Sequence, residues 1–503
     1  MVLAALLAGC TLPPLEGRHL STAIPASQTH DTPLGNVLAP QLATHPGATG
    51  IHLLFEPAET FAALTHLART AQQSLDLQYY IWFSDHSGTL LLRDLLDAAD
   101  RGVRVRLLLD DLGTRQLDTQ LAALHAHPNI EVRLFNPFTM RNVRWLSFLT
   151  DFNRANRRLH NKVFIADNQA LISGGRNIGD SYFGAADGFV FSDLDILAVG
   201  PVVDDASQGF DAYWQSGSAY PADRILPPAE KDTLKRLDQE ADALLSSQEA
   251  QKLLAAVHDN HVVGRLLTGD LDLVWAPTTL VLDDPAKGLG PIAYEDLLTL
   301  ALREELAVPQ ESLDIISSFF VPGPTLTDAL GILARRGVRV RVLTNSLDAI
   351  DMPPVHAGYA RYRKPLLKSG VELYEMRRLV DKGLRPEGIG FFGSPATTLH
   401  AKAIVVDGRQ LFIGSYNVDP RSILLNTEMG FVIDSPELAG KISHIFDLHA
   451  PKIAYRVELD GGQLRWIEQR DDEVVRHEQE PGSNVFKSIA AWLSSLLPIE
   501  WLL

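Results

Sequence analysis

Apolar and polar positions in the first part of the chain switch between helix-like and strand-like spacing. Residues 51–69 carry apolar side chains at helical spacing and predict an amphipathic helix. Short β-branched and aromatic runs follow, separated by a second helical pattern that stops at Gly102. The predicted strands are 74–83, 103–109 and 130–135, and the second predicted helix is 90–100. This alternation is typical of a layered α/β domain.

The same order of elements returns in the second half of the chain. The run SLD occurs at 74–76 and at 312–314, and RGVRVR occurs at 101–106 and at 336–341. A repeat of this length predicts two copies of one domain. Two such halves, packed face to face, would bring equivalent strand ends together.

The segments around the two halves have different compositions. Residues 11–45 are rich in Pro, Ser, Thr and Gly and predict a linker, whereas 228–258 is polar with helical spacing and predicts a solvated connecting helix. We predict a signal-like segment and linker over 1–45, a first domain over 46–225, a helical linker over 226–268, a second domain over 269–450 and a C-terminal extension over 451–503. Within that extension, 452–478 predicts short polar strands and 485–503 an apolar tail that is docked or interfacial, not membrane-spanning.

Charge and cysteine content narrow the possible partners. The 503 residues carry a formal charge of −17, which makes nucleic acid a poor default partner. Cys10 is the only cysteine, so no intramolecular disulfide can form. It ends the run LAGC after an apolar start, which resembles a bacterial lipobox, although basic residues are missing before it. We expect a lipid anchor at Cys10, with a buried apolar N-terminus as the alternative.

One motif occurs once in each half. It reads His-x-Lys-x4-Asp followed by Gly-x-x-Asn, and His and Asn are 17 positions apart in both copies. The first copy has His160, Lys162, Asp167, Gly174, Gly175 and Asn177, and the second has His400, Lys402, Asp407, Gly414, Ser415 and Asn417. The apolar run after each Lys predicts a strand, so His and Lys should point to one face. A cationic Lys beside a His, twice over, indicates a site that handles phosphate oxygens.

The paired motifs closely resemble the signatures of the phospholipase D superfamily, and the likeness covers most of residues 46–435. The stretches SLDLQYYIWFSDHSG, RGVRVRLLLDDLG and NTEMGFVI are closest to the bacterial cardiolipin synthase branch of C type. The resemblance implies an α/β fold of two repeated phospholipase D-like α-β-α sandwich domains, packed face to face with the active site between them.

The resemblance also implies a two-step reaction through a covalent phospho-histidine. One neutral imidazole attacks phosphorus while the other donates a proton to the leaving alcohol, and the family favours His160 as the nucleophile. Lys162 and Lys402 would neutralise the phosphate oxygens, so no metal or cofactor is expected. Asn177 and Asn417, with Gly175 and Ser415 beside them, would bind or orient the phosphate.

Carboxylates are expected around the two imidazoles, because each ring must present the correct nitrogen. Alignment of the halves pairs Asp193 with Glu428 as orienting residues, and Asp195 competes with Asp193. For Asp167 and Asp407, the resemblance favours a bracing role, and a capped turn at a strand end is the alternative. The insertion at 180–191, rich in Gly, Tyr and Phe, could be a lid or contact acyl chains.

These expectations together predict a phosphatidyltransferase that makes cardiolipin or a related lipid from phosphatidylglycerol, with phosphatidylethanolamine as a further candidate substrate. A hydrolytic phospholipase D differs only in accepting water and stays open. A nuclease of the same superfamily is disfavoured by the acidic charge, and a non-enzymatic scaffold by the intact motifs. We expect the enzyme at a membrane surface in the bacterial cell envelope, anchored at Cys10 and facing the periplasm.

Overall fold

The structure, a computed structural model, describes residues 12–185, 190–259, 261–350, 352–378, 397–470, 473–483 and 502. Cys10, with the signal-like segment before it, and the apolar tail at 485–503, apart from residue 502, lie outside the described residues.

Two large sheets carry most of the strands. The described strands are β1 (Thr49–Leu54), β2 (Ser74–Ile81), β3 (Arg104–Gly113), β4 (Ile130–Phe135), β5 (Val163–Ala166), β6 (Ala170–Gly174), β7 (Val190–Ser192), β8 (Asp195–Val199), β9 (Ala219–Pro221), β10 (Val274–Ala276), β11 (Thr278–Leu282), β12 (Ser312–Ser317), β13 (Arg339–Asn345), β14 (Glu372–Met376), β15 (Thr397–Leu399), β16 (Lys402–Val406), β17 (Gln410–Gly414), β18 (Met429–Asp434), β19 (Ala454–Asp460), β20 (Gln463–Arg470) and β21 (Glu473–His477).

Helices cover both faces of the sheets. The described α-helices are α1 (Pro33–Thr44), α2 (Pro57–Thr70), α3 (His86–Asp100), α4 (Asp118–His125), α5 (Arg144–Thr150), α6 (Phe152–Ala155), α7 (Asp180–Phe183), α8 (Pro201–Trp214), α9 (Thr233–Leu244), α10 (Gln248–Asp259), α11 (Val262–Thr268), α12 (Leu298–Glu305), α13 (Gly323–Arg335), α14 (Pro353–Ala360), α15 (Arg363–Lys368), α16 (Pro420–Leu424) and α17 (Pro436–Ile453).

The two sheets repeat one topology. The first has the order β10-β1-β8-β6-β5-β2-β3-β4-β9, and the second has β11-β18-β17-β16-β12-β13-β14-β19-β20-β21. In the first sheet, β2, β3 and β4 are parallel to one another and β5 is antiparallel to β2. In the second sheet, β12, β13 and β14 are likewise parallel and β16 is antiparallel to β12. Counted across the sheet, the eight strands that begin with β1 and end with β9 therefore have the same order as the eight that begin with β11 and end with β19, as the repeat predicts.

The repeated sequence runs supply one buried Arg–Asp ion pair in each half. On neighbouring parallel strands, the guanidinium of Arg106 donates to both carboxylate oxygens of Asp76 at 2.6 and 2.8 Å. Arg341 and Asp314 repeat this pair at 2.7 and 2.8 Å. All four side chains are buried, and a buried bidentate pair of this kind leaves neither charge uncompensated.

One hydrophobic core joins the two halves. It contains inward-facing residues of both sheets together with α8 and α17, and each half has a further core under its outer helices. Close packing across the halves is visible at Gly209 of α8, where a Cβ would lie 2.7 Å from the Leu282 side chain of β11. The sheets are thus layered between helices and face each other, as predicted.

The structure differs from the sequence prediction in four segments. Residues 51–54, predicted to start a helix, form most of β1, because they pair with β8 and β10 on both sides. The predicted linker at 11–45 contains α1, whose Leu34 and Leu38 are buried. Strand β10, which the predicted boundaries place in the second domain, belongs to the first sheet. Strands β19 to β21 extend the second sheet, so residues 454–477 do not form a separate extension.

The predicted solvated connecting helix is also different. Residues 233–268 form α9, α10 and α11, which bury Leu237, Leu253 and Leu266 in the core of the first half. Their polar composition reflects the outer face of helices that pack on α2, α3 and α4.

Candidate active site

The two copies of the His-x-Lys motif lie at matching places in the two sheets. His160 and Lys162 immediately precede β5, and His400 and Lys402 lie at the start of β16. Because β5 and β16 run antiparallel to β2 and β12, both motifs lie at the edge where the parallel strands end. The carboxyl ends of parallel strands are a common place for a ligand site in α/β proteins.

The backbone at each histidine pairs with the other half of the chain. The N–H of His160 donates to the carbonyl of Thr427 at 3.0 Å, and Thr427 donates to the carbonyl of Arg158 at 3.0 Å. In the other direction, the N–H of His400 donates to the carbonyl of Ser192 at 2.7 Å. The residues after Thr427 and Ser192 are the two predicted orienting carboxylates, which are therefore held beside the histidines.

Each imidazole contacts the carboxylate of the opposite half. Nδ1 of His160 lies 2.7 Å from Oε2 of Glu428, and Nδ1 of His400 lies 2.5 Å from Oδ2 of Asp193. Both carboxylates are fully buried. With Nδ1 engaged, each ring has Nε2 available for chemistry. Neither half alone contains a histidine with its carboxylate, so the site requires both.

Asp195, the competing candidate for orientation, has a different partner. Its carboxylate accepts a hydrogen bond from Nη1 of Arg176 at 2.6 Å and one from the Arg176 backbone N–H at 3.2 Å. Arg176 also donates to backbone carbonyls at the end of β1. This buried pair fixes the loop after β6 and does not contact an imidazole through the hydrogen bonds described.

The charges of Lys162 and Lys402 lower the pKa of both histidines. Burial, followed by the charges of Lys162 and Lys402, holds the pKa of His160 well below its usual value. Burial and Lys402 likewise lower the pKa of His400, and Lys162 adds to this. The pKa of Lys162 is itself lowered to about 7 by burial, with Lys402 lowering it and Glu428 opposing the shift. Charges of each motif thus act on the other, and both imidazoles are neutral at pH 7 before an anion binds.

The two histidine–carboxylate pairs are not equivalent. Burial raises the pKa of Glu428 to about 6, although its oxygens accept hydrogen bonds from Ser415 Oγ at 2.5 Å and Ser422 Oγ at 2.9 Å. Asp193 has no such hydroxyl at the matching position, since Gly175 replaces Ser415, and a Cβ there would lie 1.9 Å from Oδ1 of Asp193. Despite its burial, the interaction with the His400 ring and the charge of Lys402 lower the pKa of Asp193. Asp193 is therefore the stronger acid of the two carboxyl groups.

The two predicted asparagines are buried beside the ends of the central strands. Oδ1 of Asn177 accepts from the N–H of Ile81 at 3.2 Å, and its Nδ2 donates to the Tyr182 hydroxyl at 3.0 Å. Oδ1 of Asn417 accepts from Ser318 Oγ at 2.8 Å. Asn177 thus already uses its amide to hold β2 and Tyr182, which favours orientation over direct phosphate binding for this residue.

Asp167 and Asp407 lie at the far ends of β5 and β16 from the histidines. The Asp167 carboxylate accepts the N–H groups of Gln72, Gln73 and Ser74, at 2.7 to 3.2 Å. In the same way, the Asp407 carboxylate accepts the N–H groups of Gln310, Glu311 and Ser312, at 2.7 to 3.1 Å. Each carboxylate therefore caps the turn that leads into the central strand of its sheet and supports the site from a distance.

Aromatic rings border both imidazoles. The Tyr80 ring lies edge-on to His160 at 5.1 Å between centroids, and Nζ of Lys162 lies 5.6 Å from the same ring. The Tyr182 and Phe191 rings lie 5.4 and 4.9 Å from His400. The predicted insertion at 180–191 thus supplies two rings to the site, while its residues 186–189 lie outside the described part. Tyr80 had no motif of its own, and only its place at the end of β2 could have indicated it.

A second matched pair that motif reasoning missed holds the backbone before each histidine. Asp110, at the end of β3, accepts the N–H of Leu159 at 2.8 Å and a hydrogen bond from Arg158 at 3.1 Å. Asn345, at the end of β13, accepts the N–H of Leu399 at 2.9 Å. Both positions follow the repeated RVR run by the same number of residues, which was the signal available in the sequence.

A family model described as "Cardiolipin synthase, PLD-like domain" matches residues 64–214 and 302–449, one match in each half. The chain belongs to this phospholipase D-like cardiolipin synthase family. Membership confirms the predicted family and the predicted enzyme class, a phosphatidyltransferase of the phospholipase D type.

Individual relatives agree with this membership. Cardiolipin synthase C of Escherichia coli (strain K12) is 44% identical over 471 residues, covering 93% of this chain and 99% of the relative. Cardiolipin synthase B of Shigella flexneri is 26% identical, over 76% of each chain. The crystal structure of phosphatidylserine synthase from Haemophilus influenzae Rd KW20 matches with a TM-score of 0.58 at 14% identity, covering 93% of this chain and all of that one. This last match confirms the predicted two-domain fold.

Among the residues that the structure describes, no helix combines the length and apolar character needed to cross a bilayer.

Proposed function

We propose that this enzyme transfers a phosphatidyl group from phosphatidylglycerol to the hydroxyl of a second phospholipid, yielding cardiolipin. The observation that carries the proposal is the exchange of carboxylates between the halves, which orients two imidazoles beside two buried lysines. The two ammonium groups attract the anionic phosphodiester of a phospholipid, whereas a neutral ester gains little from them.

The first step forms a bond between Nε2 of His160 and phosphorus. We assign attack to His160 because burial and the two lysines hold its pKa well below the usual value, so the ring stays neutral, and because the pKa of its partner Glu428 is raised. Binding of the anionic phosphodiester raises the pKa of His400, which the ionised Asp193 then holds protonated. As the bond from phosphorus to the leaving glycerol oxygen breaks, Nε2 of His400 donates its proton to that oxygen.

The second step reverses these roles. Neutral His400 accepts the hydroxyl proton of the incoming lipid, whose oxygen attacks phosphorus while the bond to His160 breaks. Lys162 and Lys402 stabilise the charge on the nonbridging oxygens in both transition states. His160 and Lys162 are buried, and Tyr80, Tyr182 and Phe191 surround the rings, which favours a lipid alcohol over water as the acceptor.

The test is a product analysis. Purified enzyme is incubated with phosphatidylglycerol in detergent micelles, alone and with phosphatidylethanolamine, and the lipids are identified by mass. Cardiolipin and glycerol are expected from phosphatidylglycerol alone. Phosphatidic acid as the main product would instead establish the hydrolytic phospholipase D reaction. His160→Asn and His400→Asn proteins serve as controls and should form neither product.

We further propose a location at a membrane of the bacterial cell envelope, with acyl chains on Cys10 and the enzyme facing the periplasm. The lipobox-like run before Cys10 and the lipid substrates of the proposed reaction support this. Cys10→Ser should move part or all of the protein from the membrane to the soluble fraction after cell lysis. Unchanged fractionation would contradict an anchor at this residue.

A further inference from the structure

The connection from β4 to β5 exposes apolar side chains that the core does not use. Residues 136–162 cross the edge where β2, β3 and β4 end, which is the edge that carries His160. Within this connection, α5 buries Ser147 inward and packs Phe148 against Phe138 with tilted rings, yet it presents Trp145 and Leu149 outward, 63% and 74% exposed. Phe152, at the start of α6, is 39% exposed.

A helix of a soluble protein usually turns its apolar side inward and its polar side to water. Trp145 and Leu149, four residues apart, lie on the same side of α5, and Phe152 begins the next helix three residues later. We call Trp145, Leu149 and Phe152 the docking stripe. A tryptophan with aliphatic neighbours in an amphipathic segment is the composition that lies in the headgroup region of a bilayer.

The charge around the docking stripe differs from that of the whole protein. Residues 136–158 contain five arginines and one acidic residue, Asp151, in a chain of net charge −17. Asp110, Asp111 and Asp118 form ion pairs with three of these arginines, which still leaves five arginines against four aspartates. An anionic lipid surface is therefore not repelled by this connection as it is by the acidic protein as a whole.

The N-terminal segment reaches the same face. Leu12 and Pro13 line a groove of about 480 Å³ together with Val143 and Leu146 of the connection. Cys10 precedes Leu12 by two residues in the sequence, and two residues of chain span at most about 7 Å between Cα atoms. The anchor and the docking stripe would then engage one membrane.

We propose that the docking stripe inserts into the headgroup region of an anionic phospholipid bilayer and turns the edge of the active site toward its lipid substrates. The proposal rests on the proposed function in so far as the substrates are bilayer lipids. It goes further by assigning the membrane contact to three residues that do no chemistry.

The test is a vesicle-binding experiment with the full chain. All proteins carry Cys10→Ser, so that acyl chains do not dominate binding, and the vesicles contain equal parts of phosphatidylglycerol and phosphatidylcholine. The double variant Trp145→Ala/Leu149→Ala should co-sediment about 10-fold less tightly than its parent, since two inserted apolar side chains are removed. The matched control is Val308→Ala/Val474→Ala, which changes two side chains that are 68% and 64% exposed elsewhere and should bind like the parent.

A second assay separates this proposal from the proposed function. With monomeric short-chain phosphatidylglycerol, the docking-stripe variant should turn over at the parent rate, while its rate on vesicles falls with binding. Absence of cardiolipin formation by every protein would reject the proposed function and leave the vesicle-binding result intact.

Two results would overturn the proposal. One is equal vesicle binding by the docking-stripe variant and its parent. The other is a change of oligomeric state in light scattering with unchanged vesicle binding, which would assign the docking stripe to contact between copies of the chain.

Discussion

The exchange of carboxylates between the halves can be tested by removing one charge without changing shape. Glu428→Gln keeps the size of the side chain, and an amide oxygen at the Oε2 position can still accept hydrogen bonds from Ser415 and from Nδ1 of His160. The amide nitrogen then lies at the Oε1 position, where the Ser422 hydroxyl can accept from it instead of donating. It removes the negative charge that stabilises a positive His160 and that opposes the lowered pKa of Lys162.

The expected loss of activity has two parts. A hydrogen bond to a charged group is worth about 1.5–3 kcal/mol, which corresponds to roughly 10- to 150-fold in rate. Lys162, whose pKa is already about 7, becomes mostly neutral without Glu428, and loss of one charge-stabilising group costs on the order of 10²-fold. Because the two effects share one site, we expect kcat to fall by about 10³-fold.

Stability should change in the opposite direction. In the folded protein the pKa of Glu428 is raised from 4.5 to about 6, so the folded state binds a proton more tightly than the unfolded chain. Stability is therefore lost as pH rises from about 4.5 to about 6, by up to about 2 kcal/mol, and this deficit remains at pH 7. Glu428→Gln removes the deficit and should unfold at a temperature equal to or slightly above that of the parent at pH 7, but not at pH 4.

The assay combines single-turnover kinetics with thermal unfolding at both pH values. Asp195→Asn is the matched control, since it removes a nearby buried carboxylate that is paired with Arg176. The control should keep most of the parental kcat, because Asp195 pairs with Arg176 and not with an imidazole. A Glu428→Gln protein that retains near-parental kcat, or that loses activity only because it unfolds, would refute the assignment of Glu428 to His160.

Three further predictions follow from the site geometry. Lys162→Ala should lower kcat by about 10²-fold with an unchanged unfolding temperature, and parental kcat in the folded variant would exclude its role at the phosphate. Gly175→Ser should displace Asp193, since its Cβ would lie 1.9 Å from Oδ1, and lower kcat by about 10²-fold or more; a fully active variant would show that Asp193 need not keep this place. Asp407→Asn should mainly reduce stability, because three backbone N–H groups donate to the Asp407 carboxylate. These hydrogen bonds lower its pKa by more than burial raises it. That stability is present above pH 4, so parent and variant should converge in thermal unfolding as pH falls through the lowered pKa, and a constant difference would contradict this cause.

The sequence was sufficient for the repeated core of the fold. The strands around both motifs are long apolar runs at matched spacing, and such runs are buried in any arrangement of two α/β halves. Residues 51–54 were misassigned because a six-residue strand next to a helical pattern has no clear period of its own, and only pairing with β8 and β10 reveals it. Residues 233–268 were underestimated because their polar outer face dominates the composition.

The reactive groups were likewise predictable, whereas their partnerships were not. His160 and His400 stand out through their doubled motif, and aligning the halves selects Asp193 and Glu428. Sequence gives no reason, however, to pair residue 160 with residue 428, which lies 268 positions away in the other half. That pairing depends on how the halves pack, and so do the rings of Tyr80 and Tyr182 at the histidines.

In the proposed mechanism, both imidazoles act on the same phosphorus atom. The decisive measurement uses a phosphatidyl donor labelled at phosphorus with a p-nitrophenol leaving group, which departs without a proton. After alkaline quenching of the His400→Asn protein, we predict one label per chain, attached to His160, because attack proceeds and the base for the second step is missing. Label on any other residue, or rapid turnover without a labelled histidine, would contradict the shared site.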